Sequence, residues 1–191
     1  MINETREFTH PVGTDAGLCA LWQPEHFEHV TDLDSFHAEL IEDQDIERHI
    51  ADGAFVPINI GSDGGWGMTV RVGAGLNDRE AQFLVVSSEP YRIVSRGTLG
   101  LGGLENIGSY GGGAIVLPID VGTYSAIVHL IDWEGEPGSR TEDGAISTHA
   151  LPDFVVELHE EAATRSAYRK TVETFERAAA RVVDTPASPD H

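Results

Sequence analysis

From Ala54 to Glu160 the chain repeats one pattern: a short run of alternating Val, Ile, Leu or aromatic residues, closed by Gly, Pro, Asn or Asp. A period of two places every second side chain on one face of a strand, and the closing residues are those that turns require. Runs of this kind without intervening helical periodicity predict an antiparallel β-sandwich or a partly open barrel rather than alternating strand and helix. Strands are expected over 55–60, 68–72, 82–86, 92–95, 114–117, 123–133 and 154–158. The run 123–133 is apolar on both faces, which predicts a central strand. Pro57 lacks an N–H, which predicts an edge strand or a bulge.

Two shorter runs precede these, around 8–10 and 18–22, with a turn between. Residues 31–52 differ. Thr31 and Asp34 have the spacing of a capping box, Leu33, Phe36 and Leu40 follow at helical spacing, Ile46 and Ile50 lie one turn apart, and Gly53 supplies a stop. One helix is predicted, or two short ones broken near Asp43. At the other end, Tyr168, Val172, Phe175, Ala179 and Val182 fall on one helical stripe, with Glu160 and Glu161 before it and Arg177 and Arg181 near its end. This predicts a C-terminal helix near 160–183, followed by a disordered tail over 185–191. The stripe can cover the chain's own sheet or a twin helix, so the chain is expected to be a monomer or a homodimer through that helix. Eight glycines in the seventeen positions 97–113 predict tight turns around a short strand, or a mobile loop. The whole reads as mainly β (α+β): one globular domain over 1–184, with an acidic helical insert near 31–52.

Charge narrows the function. The first 164 residues hold 28 Asp and Glu against seven Arg and no Lys, and residues 25–52 hold ten carboxylates to one arginine. Such a surface repels phosphate backbones and anionic membranes, so neither nucleic acid nor membrane is expected as a partner, and a basic protein is favoured. Adaptation to high salt is another source of acidity and would say nothing about partners. The N-terminus lacks the basic and apolar regions of a secretory signal, no apolar run is long enough for a membrane helix, and Cys19 stands alone. A cytoplasmic protein is expected.

Catalytic motifs are not found. The segment 61–67 has glycines but no lysine, and Asp63 stands where a phosphate would sit; 97–113 has no Gly-Lys-Ser or Gly-Lys-Thr. There is no Gly-x-Ser-x-Gly and no His-Glu-x-x-His. Asp43, Asp45 and Glu47 alternate as in a calcium loop, but Arg48 occupies the position where that loop needs glycine. Cys19 lies among Leu18, Ala20, Leu21 and Trp22, the setting of an inert core thiol.

Three site readings follow. The favoured one is a non-enzymatic acidic binding protein of bacterial type, inhibitor- or immunity-like, that engages a basic protein through Glu39, Glu42, Asp43, Asp45 and Glu47. The second is a ligand binder or enzyme with a site among the glycine-rich loops, drawing on Asp63, Trp66, Glu105, Tyr110 and His129; Trp66 between two glycines is the best candidate for an exposed, sugar-stacking aromatic. The third is a divalent metal held by His26, His29 and His49, whose imidazoles interleave with carboxylates. No cofactor is expected on the favoured reading.

Overall fold

The computed structural model describes residues 5–109, 112–161 and 167–176. Among these, ten strands run in chain order: β1 (Arg6–Thr14), β2 (Leu18–Trp22), β3 (Phe55–Asn59), β4 (Gly64–Val72), β5 (Leu84–Ser87), β6 (Tyr91–Ser95), β7 (Leu99–Gly103), β8 (Ile115–Leu117), β9 (Gly122–Ile131) and β10 (Phe154–Glu160). Three short helices accompany them: α1 (Leu33–Leu40), α2 (Asp43–Ala51) and α3 (Asp78–Gln82). The first sheet has the order β1-β4-β10-β9-β5, with β6 also on β9; the second has the order β3-β2-β7-β8. Neither closes into a barrel, and the fold is a mixed α+β one dominated by strands.

The inner faces of the two sheets share one core. Met68, Val70, Ala126, Val128, Phe154 and Val156 of the first sheet meet Leu21, Val56, Ile58, Leu99 and Leu101 of the second. The long strand β9 is central, as its two apolar faces require, and β3 with Pro57 is an edge strand. Among the ten named strands, pairing with one another is antiparallel except between β4 and β10, which run parallel. A run of alternating residues specifies a strand but not the direction of its neighbour, so this pair departs from the all-antiparallel expectation.

β9 is long enough to hold two strands end to end on one edge. β6 pairs with its first half, Tyr91 opposite Ala126, and β5 with its last residues, Ser87 opposite His129. Ser88 splices the two: its N–H donates to Val128 O at 2.8 Å and its Oγ accepts from Val128 N–H at 3.0 Å.

The predicted C-terminal helix is corrected by the structure. Residues 160–161 and 167–176 are not helical; residues 162–166 and 177–191, including the expected tail, lie outside the described residues. Residues 167–176 run along the sandwich, with Arg169 N–H on Pro90 O at 2.9 Å, Phe175 N–H on Asn59 O at 2.8 Å and the Tyr91 hydroxyl on Thr171 O at 3.0 Å. Partners far away in sequence thus satisfy backbone groups that a helix would have paired internally. Phe175 is buried edge-on against Phe154, with ring centroids 5.7 Å apart, so this part of the stripe is spent on the chain's own core and not on a twin helix. No helix among the described residues is long and apolar enough to cross a membrane.

Candidate functional site

The acidic insert joins β2 to β3 as two short helices with a break at Ile41–Glu42, as the apolar spacing indicates. Its capping box is set one residue later than predicted: Asp32 Oδ1 accepts from Ser35 N–H at 2.8 Å, and Ser35 Oγ accepts from Asp32 N–H at 3.1 Å. Thr31 and Asp34 are a near-match in spacing, but Asp32 has the extended backbone that a cap needs. The underside of the insert is apolar: Phe27, Val30, Phe36, Leu40, Ile46 and Ile50 are all buried in the core. Its outward side presents Leu33, 47% exposed, and Ile41, 52% exposed.

The five predicted contact residues divide into two sets. Glu39 and Asp45 are partly buried and already paired with Arg48, at 2.9 and 2.6 Å. Glu42 and Asp43 are exposed and Glu47 is half-buried, and among the described residues none of the three side chains has a cation of this chain beside it. The insert therefore carries three carboxylates with no cation of the described residues beside them, and Ile41 is exposed next to the first of these in the chain.

The three predicted metal-binding histidines converge, but on Glu39 and on one another. His29 Nε2 is 3.1 Å from Glu39 Oε1, His49 Nε2 is 3.0 Å from Glu39 Oε2, and His26 Nε2 is 2.9 Å from His49 Nδ1. Because His49 Nε2 faces two acceptors, the carboxylate and the main-chain oxygen of Glu39, it carries the proton. His49 Nδ1 then accepts from His26. Burial lowers the pKa of His26, against an opposing pull from Asp52; burial and the neighbouring His26 lower that of His49. Burial pushes the Glu39 carboxyl up, but the His29 hydrogen bond and the His49 and Arg48 charges outweigh it and hold it below the usual range. With Arg48 on the same oxygen, the donors are consumed by hydrogen bonds, and no group of three or more metal-binding side chains among the described residues has the geometry to hold an ion.

The predicted ligand set is not brought together. Trp66 is half-buried on the inner face of β4, edge-on to Phe154 with centroids 6.3 Å apart, so it plugs the end of the core more than it offers a stacking platform. Asp63 is exposed in the turn before it. Glu105 accepts from Thr14 Oγ at 3.2 Å and Asp15 N–H at 3.1 Å, which ties the β1–β2 turn. Tyr110 lies outside the described residues. His129 is on the outer face of the first sheet, with the sheet between it and Trp66.

That outer face carries a row of charge that the sequence reading missed. Arg71 makes a two-pronged pair with Glu80, at 2.7 and 2.8 Å, and reaches Glu7 at 2.7 Å. Further along, Ser87 Oγ is 2.7 Å from His129 Nδ1, while His129 Nε2 lies 3.2 Å from Glu157 Oε1, off the axis of a good hydrogen bond. Glu157 also accepts from Leu76 N–H at 2.6 Å and faces His159 Nε2 at 3.3 Å. Burial raises its pKa, but His129, His159 and the Leu76 N–H outweigh that and hold it below the usual carboxylate range. A cavity of about 410 Å³ opens nearby, lined by Thr9, Thr69, Arg71, Glu80, Trp133 and Asp153 among others. Arg71, Glu80 and Asp153 all make hydrogen bonds within the chain.

The chain is a two-sheet α+β protein whose fold resembles that of two solved structures. It is similar to the solved structure of crocagin biosynthetic gene J, with a TM-score of 0.56, 15% identity and coverage of 83% of this chain and 97% of that one. It is also similar to ComJ from Bacillus subtilis, an inhibitor of the DNA-degrading activity of NucA, with a TM-score of 0.50, 7% identity and coverage of 83% and 99%. At these identities the likeness is one of fold. No family model matches the chain, and no curated protein matches its sequence.

Proposed function

We propose that this chain is an inhibitor- or immunity-like binding protein that engages a basic protein partner through the outward side of α1 and α2. The observation that carries the reading is the outward side of the insert: Ile41 is exposed next to Glu42 and Asp43 where α1 gives way to α2, Glu47 follows one turn on, and Leu33 is exposed at the start of α1, all on an insert whose underside is packed in the core. A rigid platform that presents apolar anchors within a charged surround is the usual anatomy of a protein-binding surface. The carboxylates steer a basic partner in and repel anionic competitors, while the two aliphatic side chains slow its release. The shared fold with a nuclease inhibitor supports this reading.

The test uses the full chain as bait in an extract of its native host, followed by kinetics with the purified partner. A basic protein is expected, with an association rate that falls steeply with salt. Reversing Glu42 and Asp43 to lysine should slow association by about tenfold or more, since steering spans orders of magnitude. Leu33→Ser with Ile41→Ser should mainly speed dissociation. Retention of the same partner by both variants at unchanged rates, or an acidic partner, would overturn the proposal.

A further inference from the structure

We propose that Ser87 is a nucleophile, activated by His129 and oriented through Glu157, and that the outer face of the first sheet carries an acyl-transfer site for small apolar esters. Three strands each contribute one member. Ser87 on β5 is exposed, whereas His129 on β9 and Glu157 on β10 are buried. Glu157 is fixed by the Leu76 N–H and by His159, so its Oε1 is held against His129 Nε2. A carboxylate at Nε2 selects the tautomer with the proton on that nitrogen. Nδ1 is then bare and faces the serine hydroxyl at 2.7 Å, the reach of a general base. The poor alignment at Nε2 matches apo catalytic contacts in general, which tighten only around the reacting group.

Two features of β5 separate this arrangement from an ordinary cross-strand hydrogen bond. The register shifts between Leu84 and Val86, so that Leu84 pairs with Ile131 and Ser87 with His129. This bulge turns Leu84 and Ser87, three residues apart, onto the same outer face, a re-aiming that bulges near active sites commonly perform. Leu84 is 39% exposed there and supplies an apolar surface beside the hydroxyl. The second feature is the ladder. Ser88 and Val128 form a hydrogen-bonded pair, so Ser87 and His129 form the alternate, closer pair, in which the Ser87 N–H faces away from β9. β5 ends its row of the sheet, and that N–H is a donor for a developing oxyanion.

The chemistry balances without a cofactor. Ser87 Oγ bonds to the ester carbonyl carbon while His129 Nδ1 takes the hydroxyl proton. The tetrahedral intermediate expels the alcohol, which leaves with that proton, and an acyl-serine remains. Water, deprotonated by His129, then releases the carboxylic acid and restores Ser87. Net, one ester and one water become one acid and one alcohol.

The experiment treats the full chain with a fluorophosphonate probe, which forms a Ser–O–P bond and expels fluoride, and locates adducts by peptide mass mapping; p-nitrophenyl acetate hydrolysis is followed in parallel. The expected result is an adduct on Ser87 whose rate rises sigmoidally with pH as one group loses its proton. Ser87→Ala removes the adduct, and His129→Gln slows labelling by about a hundredfold. Ser87 is exposed, so its alanine variant keeps the fold, and the wild-type pH profile stands even if His129→Gln does not fold. No adduct on Ser87, a rate merely proportional to hydroxide, or undiminished labelling in a folded His129→Gln protein would overturn the proposal. The partner-binding reading stands or falls separately, because Ser87 is outside the insert.

Discussion

At position 100 the absence of one methyl group decides how the second sheet is covered. The Trp22 indole crosses the strand beside it so closely that a Cβ on Gly100 would lie 2.5 Å from Trp22 Cε2, and Trp22 is only 2% exposed. Gly100→Ala should therefore cost about 1–3 kcal/mol by overpacking, read as a lower urea midpoint. Gly65→Ala, where nothing lies within 4 Å, is the control and should change little. The second residue-scale consequence is pH. His26 and His49 both have lowered pKa values in the fold, so the unfolded chain binds more protons than the native one at mildly acidic pH. The stability they contribute is fully present above the ordinary histidine pKa, near 6.5, and is lost as pH falls through their lower native values. Two protonated rings would also set N–H against N–H across the 2.9 Å contact. Urea unfolding should show a loss of stability below neutrality that is smaller in His49→Gln, well before the acid loss from Glu39, Glu80 and Glu157. An equal loss in that variant would remove these histidines as the cause. Cys19 is wholly buried and its thiol is pushed up to about 12, chiefly by burial, so it should react with thiol reagents only on unfolding.

At the scale of elements, the splice at Ser88 joins two strands into one edge. Ser88→Ala would leave the buried Val128 N–H without its acceptor, and should cost about 1–3 kcal/mol, measured by chemical denaturation. The strands themselves were legible in the sequence because a half-buried strand writes its period directly into the residues. β9 was legible as central for the same reason, and the insert through Phe36, Leu40, Ile46 and Ile50. The C-terminal stripe misled because a 4-3-4 spacing says which side chains would share a face if the segment were helical. It does not say whether Asn59, Pro90 and Tyr91 will offer the backbone other partners. α3 was missed: Asn77 and Glu80 form its capping box, with Glu80 N–H donating to Asn77 Oδ1 at 3.0 Å and Asn77 N–H to Glu80 Oε2 at 2.8 Å. That signal sat in the sequence but was overshadowed by the strand that follows. The carboxylates of the insert were legible by composition alone. Ser87 and Glu157 were not, and His129 was singled out with other companions, because the three lie on different strands and only the register brings them together.

For the whole molecule, one quantity should act with opposite sign on two measurements. The formal net charge is −20, and among the described residues several of the ion pairs that offset it are at the surface, such as Arg6–Asp120 and Arg140–Glu134. Exposed pairs of this kind contribute little, so repulsion among the remaining carboxylates dominates the long-range electrostatics of the fold. Salt screens that repulsion: the Debye length falls from about 10 Å at 0.1 M to about 3 Å at 1 M. Raising sodium chloride over this range should raise the urea midpoint, with urea chosen because guanidinium is itself a salt. The same screening removes the steering of a basic partner, so the association rate should fall over the same range. Charge reversal at Glu42 and Asp43 separates the two effects, since it takes away a local source of steering but changes the net charge by only four units. That variant should therefore keep most of the salt-induced gain in stability while its association rate loses most of its salt dependence. If both responses shrank together in proportion to net charge, the acidity would act as a diffuse shell and α1 and α2 would lose their claim to be the docking face.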